Sequence, residues 1–224
     1  MAVVLSILFT GSSPISQGMY YTIQRRSKSE RMFIRQGGGF KALLKFGNLI
    51  LLQCFYFGGA ALNDLFGTEE LEVRKQSTLQ QWRDWLFTTL AFPLGMFVSF
   101  IFWTLYAIDR ELIFPASLDT WFPTWLNHVM HTLPAIGTLL EELLVPHTYQ
   151  TGHKRIAPII TLYFAYLAWI SYIAVVGGFW VYPVFQVLSV PARTLFLAFC
   201  IFPPVGFYFL GEKLHQNIWG QQEN

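Results

Sequence analysis

Charged side chains are few in this chain. Asp, Glu, Lys and Arg make up 12% of its 224 residues, half the roughly 25% of a soluble domain. With 54% hydrophobic residues and a mean hydropathy of +0.42, this scarcity points to an integral membrane protein. One helical bundle accounts for the length better than two domains. A formal charge of +2 is too small to suggest a nucleic-acid partner. The two cysteines, Cys54 and Cys200, lie in apolar runs and make neither a disulfide framework nor a CxxC site. Gly37-Gly38-Gly39 lacks a following GKS/T, so it is a hinge rather than a phosphate loop. No repeat is evident, and strands have no place here.

The apolar runs are long. They predict membrane spans over 43–62, 85–108, 121–145, 156–181 and 194–210, each close to bilayer length. Residues 1–23 make a possible weak first span; they lack a basic leader and are interrupted by Gly11, Ser12, Ser13 and Pro14. The expectation is an all-α polytopic membrane bundle of five or six spans, forming a single domain. Residues 24–45 hold seven basic residues against Glu30 and read as a cytosolic loop. Lys154 and Arg155 argue mildly the other way. Arg83-Asp84, Asp109-Arg110-Glu111 and Glu212-Lys213 lie at span ends and read as ion pairs or loop locks. His147, His153 and His215 fall in loops or the tail and read as solvated.

The exception among the spans is Trp125-Leu126-Asn127-His128-Val129-Met130-His131-Thr132. Histidine is costly to place in a membrane, so its default reading there is functional. On a helix turning about 100° per residue, Thr138 and Glu142 fall within about 20° of His131, and Asn127 and His128 within about 60°. One polar face results. Pro134 interrupts it with an expected kink, since proline has no N–H to give the helix. A neutral imidazole on that face can take a proton from a hydroxyl nucleophile. Interhelical hydrogen bonding and metal ligation by the i, i+3 pair stay open on composition alone.

Several segments carry a resemblance. Arg83-Asp84-Trp85, Leu90-Ala91-Phe92-Pro93, Asp109-Arg110-Glu111-Leu112-Ile113-Phe114-Pro115, the histidine segment, Trp180-Val181-Tyr182-Pro183-Val184-Phe185 and Leu210-Gly211-Glu212-Lys213-Leu214 resemble the FAR-17a/AIG-like family of androgen-induced and androgen-dependent TFPI-regulating proteins. The resemblance implies a multi-pass endomembrane hydrolase, in the endoplasmic reticulum or plasma membrane, that cleaves fatty acid esters of hydroxy fatty acids. It implies a catalytic threonine early in the first long span and a catalytic histidine, which carries over to His131. The threonine does not carry over. Aligning on Gln53 and Phe55-Tyr56-Phe57-Gly58 puts Phe46 at its position, and aligning on Asn48 puts Lys45 there.

Three accounts remain: a non-catalytic lipid-binding or scaffold relative, a substitute hydroxyl at Thr132 or Thr138, or Lys45 as an amine nucleophile. The expectation is a lipid-ester hydrolase with His131 as general base and Asn127, His128, Thr132, Thr138 and Glu142 as supporting or substrate-binding candidates. A fatty-acyl lipid in the bilayer is the expected partner, with no metal, no cofactor and no nucleic acid. The oligomeric state stays open.

Overall fold

The computed structural model describes residues 38–119 and 122–220, with side chains from residue 51 onward except at residue 117. Residues 1–23, most of the basic 24–45 segment and the side chains of Lys45 and Phe46 lie outside what is described. Among the described residues every regular element is helical, as the composition led us to expect.

The chain opens with α1 (Gly38–Phe66). Next come α2 (Thr78–Leu86), a five-residue π-helical turn (Phe87–Ala91) and α3 (Phe92–Ile108). These three run as one 31-residue helix, Thr78–Ile108. Ser77 starts it by accepting the Gln80 backbone N–H, the ordinary serine cap. In the π turn the Phe92 N–H reaches back five residues to the Phe87 carbonyl. The Thr88 and Thr89 hydroxyls donate to the carbonyls of Asp84 and Trp85, at 2.8 and 2.6 Å. Such back-bonding satisfies carbonyls that a widened turn leaves poorly paired.

The histidine segment folds as α4 (Thr124–His131) and α5 (Leu133–Leu144), where the sequence predicts one span over 121–145. Pro134, in the first turn of α5, is the cause. It brings no N–H for the carbonyl four residues back, and its ring crowds that carbonyl. After a loop come α6 (Ala157–Val176), α7 (Val184–Val187), α8 (Val190–Phe199) and α9 (Phe202–Ile218). Helix α6 stops at Gly177-Gly178, where Gly178 takes φ +70°, a conformation glycine enters without steric cost.

Three helices among the described residues are long and apolar enough to cross a membrane: Thr78–Ile108, Ala157–Val176 and Val190–Ile218. The protein is therefore an integral membrane protein by length and composition of its helices. Helix α3 is central, packed by α5 and α9, while α1 lies against α2. Two apolar cores sit along this axis. One gathers Tyr56, Leu86, Phe87, Ala91 and Phe92; the other gathers Leu105, Leu112, Ile170, Val181, Phe185 and Phe196.

Gly95 marks the tightest crossing near the histidine segment. A Cβ there would stand 2.9 Å from Gln53 Nε2, and 3.3 Å from both the Pro134 carbonyl oxygen and Thr138 Cγ2. Gly95→Val is expected to cost about 1–3 kcal/mol by overpacking. A lowered thermal midpoint in detergent checks it, and an unchanged midpoint would mean that α3 and α5 do not approach this closely.

Candidate functional site

His131 is 8% exposed, on the inner face of α4. Its ring lies flat on Phe102 of α3, centroids 3.7 Å apart and planes at 10°. Nδ1 stands 2.8 Å from Asn127 Oδ1 and 3.1 Å from the Asn127 carbonyl oxygen. A backbone carbonyl only accepts, so Nδ1 carries the hydrogen. In the neutral ring Nε2 is then left with a lone pair, the requirement for a general base. Asn127 thus fixes both the orientation and the tautomer of His131.

The other candidates on the predicted polar face take hydrogen-bond partners other than this ring. His128 is exposed. It stacks on Trp103, centroids 5.2 Å apart, and places Nδ1 3.0 Å from Thr132 Oγ1. Its partner is Thr132, not His131. Thr138 is fully buried and donates its hydroxyl to the Pro134 carbonyl at 2.8 Å, a local bond that leaves it unactivated. Glu142 is eleven residues from His131, about 16 Å along a helix, and beyond the Pro134 break. It belongs to another cluster, accepting from Tyr149 Oη at 2.9 Å with His215 Nδ1 3.8 Å away. Periodicity gives Asn127, His131, Thr138 and Glu142 an inward face correctly, but a shared face spread over several turns is not a shared site. Among the described residues no group of three or more His, Cys, Asp or Glu side chains could hold a metal.

A second polar cluster closes the end of the bundle where α2 meets the loop after α5. Arg83 and Asp84 are 2% and 1% exposed and paired at 3.0 Å. Asp84 also accepts from the ring of His147 at 3.1 Å and from the Thr148 backbone N–H at 3.1 Å. His147 stacks on Phe87 at 4.1 Å, and the Tyr56 hydroxyl donates to Glu141 at 2.6 Å. Arg83-Asp84 is a loop lock, as its place at a span end suggests. His147 is not solvated as its loop position suggests: it is 3% exposed, because the buried Asp84 needs a donor. The signal available in the sequence is that need, two adjacent charges at the head of an apolar run. His215 is likewise packed, its ring 5.4 Å from that of Tyr149, whereas His153 is exposed.

Burial holds the His147 imidazolium below the ordinary 6.5, against the opposing pull of the Asp84 hydrogen bond and charge. The folded state therefore favours neutral His147. Its contribution to stability is full above about pH 6.5 and is lost as the pH falls from there toward the depressed folded value. Thermal midpoints in detergent between pH 7.5 and about pH 5 are expected to fall more steeply for the wild type than for His147→Gln. Equal slopes would assign the acid sensitivity elsewhere.

The family description FAR-17a/AIG1-like protein matches residues 4–216 of this chain. The chain belongs to the FAR-17a/AIG1-like family. The match begins well before the Arg83-Asp84-Trp85 segment, the first of those that carry the resemblance in the sequence. The chain is 36% identical over 205 residues to the androgen-dependent TFPI-regulating protein of Mus musculus, covering 90% of this chain and 86% of the relative. It is 36% identical over 195 residues to the androgen-induced gene 1 protein of Homo sapiens, covering 84% and 81%. The human androgen-dependent TFPI-regulating protein is 38% identical over 175 residues, covering 76% and 74%. No solved structure matches. This FAR-17a/AIG1-like chain holds His131 and Asn127 in a defined geometry, while positions 45 and 46 carry Lys and Phe.

Proposed function

We propose that this protein is a multi-pass membrane hydrolase of fatty-acyl esters, with His131 as the general base. The observation that carries the reading is the locked imidazole: Asn127 holds Nδ1–H from two acceptors, and Phe102 holds the ring plane. Nε2 is thereby kept as the proton acceptor for an attacking water. The family membership adds the expectation of an ester of a hydroxy fatty acid as substrate. Apolar and aromatic helix walls suit a long acyl chain, and acyl transfer through a hydroxyl calls for no cofactor. Five or six spans in an endomembrane, endoplasmic reticulum or plasma membrane, complete the proposal.

The second reading is a non-catalytic lipid-binding or scaffold member, favoured by Lys45 and Phe46 where a threonine is expected. Hydrolysis of a branched fatty acid ester by membranes expressing the full chain, beside His131→Ala, separates the two. Turnover that disappears in the variant supports the hydrolase. Equal turnover in both removes His131 as base, and no turnover above blank membranes selects the second reading.

A further inference from the structure

A hydroxyl nucleophile is missing where the family expectation puts it, yet one hydroxyl near the histidines is held in an activated arrangement. Thr132 Oγ1 stands 3.0 Å from His128 Nδ1 and receives the indole N–H of Trp103 at 3.1 Å. The indole can only donate, so it occupies a lone pair of Oγ1. The hydroxyl proton is then free to point at Nδ1. A hydroxyl within about 2.6–3.2 Å of a base that a third group holds in place is the signature of an activated nucleophile, and the stack on Trp103 holds the His128 ring. The indole N–H adds a fixed donor that favours the deprotonated form of Oγ1 and so eases transfer of its proton to His128.

Position supports the same role. His128 is exposed and Thr132 and Trp103 are half-buried, with exposed Trp125, Val129 and Leu133 around them. The group therefore lies on the rim of the bundle, open to an amphiphile arriving sideways from the bilayer. Trp103 is five residues from the end of α3 at Ile108, about 7.5 Å along the helix, and the charged Asp109-Arg110-Glu111 turn comes next. That depth is near the interface, where an amphiphile's polar ester group and water meet.

We infer that Thr132 is the nucleophile and His128 the base that activates it, in a site that rests on the hydrolase reading. As Oγ1 bonds to the ester carbonyl carbon, its proton passes to His128 Nδ1. The tetrahedral intermediate then breaks its alkoxy C–O bond, and the leaving alkoxide takes that proton as the hydroxy acid departs. Acyl-Thr132 remains. Water adds to it with its proton taken up by His131 Nε2, the lone pair that the Asn127 bonds to Nδ1 leave free. Oγ1 leaves, recovers that proton, and the fatty acid is released. The two histidines thus divide the two halves of the reaction, each covered by one of two consecutive aromatic residues, Phe102 and Trp103.

An alkyl fluorophosphonate tests this without knowledge of the natural ester, since it forms a P–O bond with the nucleophile and expels fluoride. The purified full chain in detergent is expected to give one adduct, mapped to Thr132 by mass spectrometry. Labelling should persist in Thr132→Ser and in His131→Ala. It should fall at least about a hundredfold in His128→Gln and vanish in Thr132→Val. With a chromogenic fatty-acyl ester, His131→Ala should accumulate acyl-Thr132 while His128→Gln forms none. An adduct at another residue, no adduct, or undiminished labelling of Thr132→Val overturns Thr132 as nucleophile. Ester turnover by the wild type without an adduct at Thr132 also overturns it and leaves the hydrolase reading standing. An adduct at Thr132 with no turnover of any ester supports the nucleophile and removes the hydrolase reading.

Discussion

Asp84→Ala is expected to destabilise the protein by about 3–5 kcal/mol, because it leaves a buried guanidinium without its counter-charge. Arg83 has only 2% exposure, and its other acceptors are the Pro146 carbonyl at 3.5 Å and Glu69 at 4.0 Å. His147 and the Thr148 N–H lose their acceptor in the same step, and unsatisfied buried donors add to the cost. The double variant Arg83→Met, Asp84→Leu is expected to recover a large part of the loss, since an apolar pair replaces a buried ion pair at little net cost. Thermal midpoints of the purified wild type, single and double variants in one detergent check this. A double variant no more stable than Asp84→Ala would mean that the loop is held by Asp84's bonds to His147 and Thr148 rather than by charge balance.

A large effect on activity is expected at His131. Removing a positioned general base typically costs about 10²–10⁴-fold in rate, or roughly 3–5 kcal/mol of barrier at 1.36 kcal/mol per tenfold. His131→Ala should show that loss in turnover of a branched fatty acid ester, with the thermal midpoint recorded alongside to separate chemistry from folding. Asn127→Leu should lose less. The Asn127 backbone carbonyl stays 3.1 Å from Nδ1 and still selects the tautomer, while the looser ring is free to leave its aligned position. A loss in Asn127→Leu as large as that in His131→Ala would mean that the side-chain amide, not the backbone, sets the tautomer. Full activity in Asn127→Leu would mean that Phe102 alone holds the ring.

The helical class and membrane character are legible in the sequence because they are averages over many residues: scarce charge and long apolar runs leave few alternatives. The inward face of the histidine segment is legible too, since 3.6-residue periodicity needs no tertiary information. Distance along that face is not. Glu142 falls at the same angle as His131 but finds Tyr149 instead, and only the path of the neighbouring helices determines that. His128 and Thr132 are a nearest-neighbour i, i+4 pair, so their bond is available from the sequence. What singles it out is the Trp103 N–H, supplied from twenty-nine positions away. His147 misleads for the same reason in reverse. A loop position suggests water, but its partner at sequence separation 63 is a carboxylate that could not be left alone in an apolar interior.

The π-helical turn at Phe87–Ala91 has a consequence for how this helix tolerates changes of length. A π turn holds one residue more than an α turn, so it offsets the angular phase of α2 by about 100° relative to α3. Before it, Gln80, Arg83 and Asp84 are buried; after it, Gly95, Ser99 and Phe102 are. Deleting a single residue between 87 and 91 would restore ordinary α geometry and rotate the lock against the histidine platform. Arg83 and Asp84 would then turn out of their pocket while Phe102 stayed beneath His131. The turn works as a phase adaptor between two halves of one helix. Through it, the end that anchors the loop and the end that seats the imidazole can each keep their own inward face.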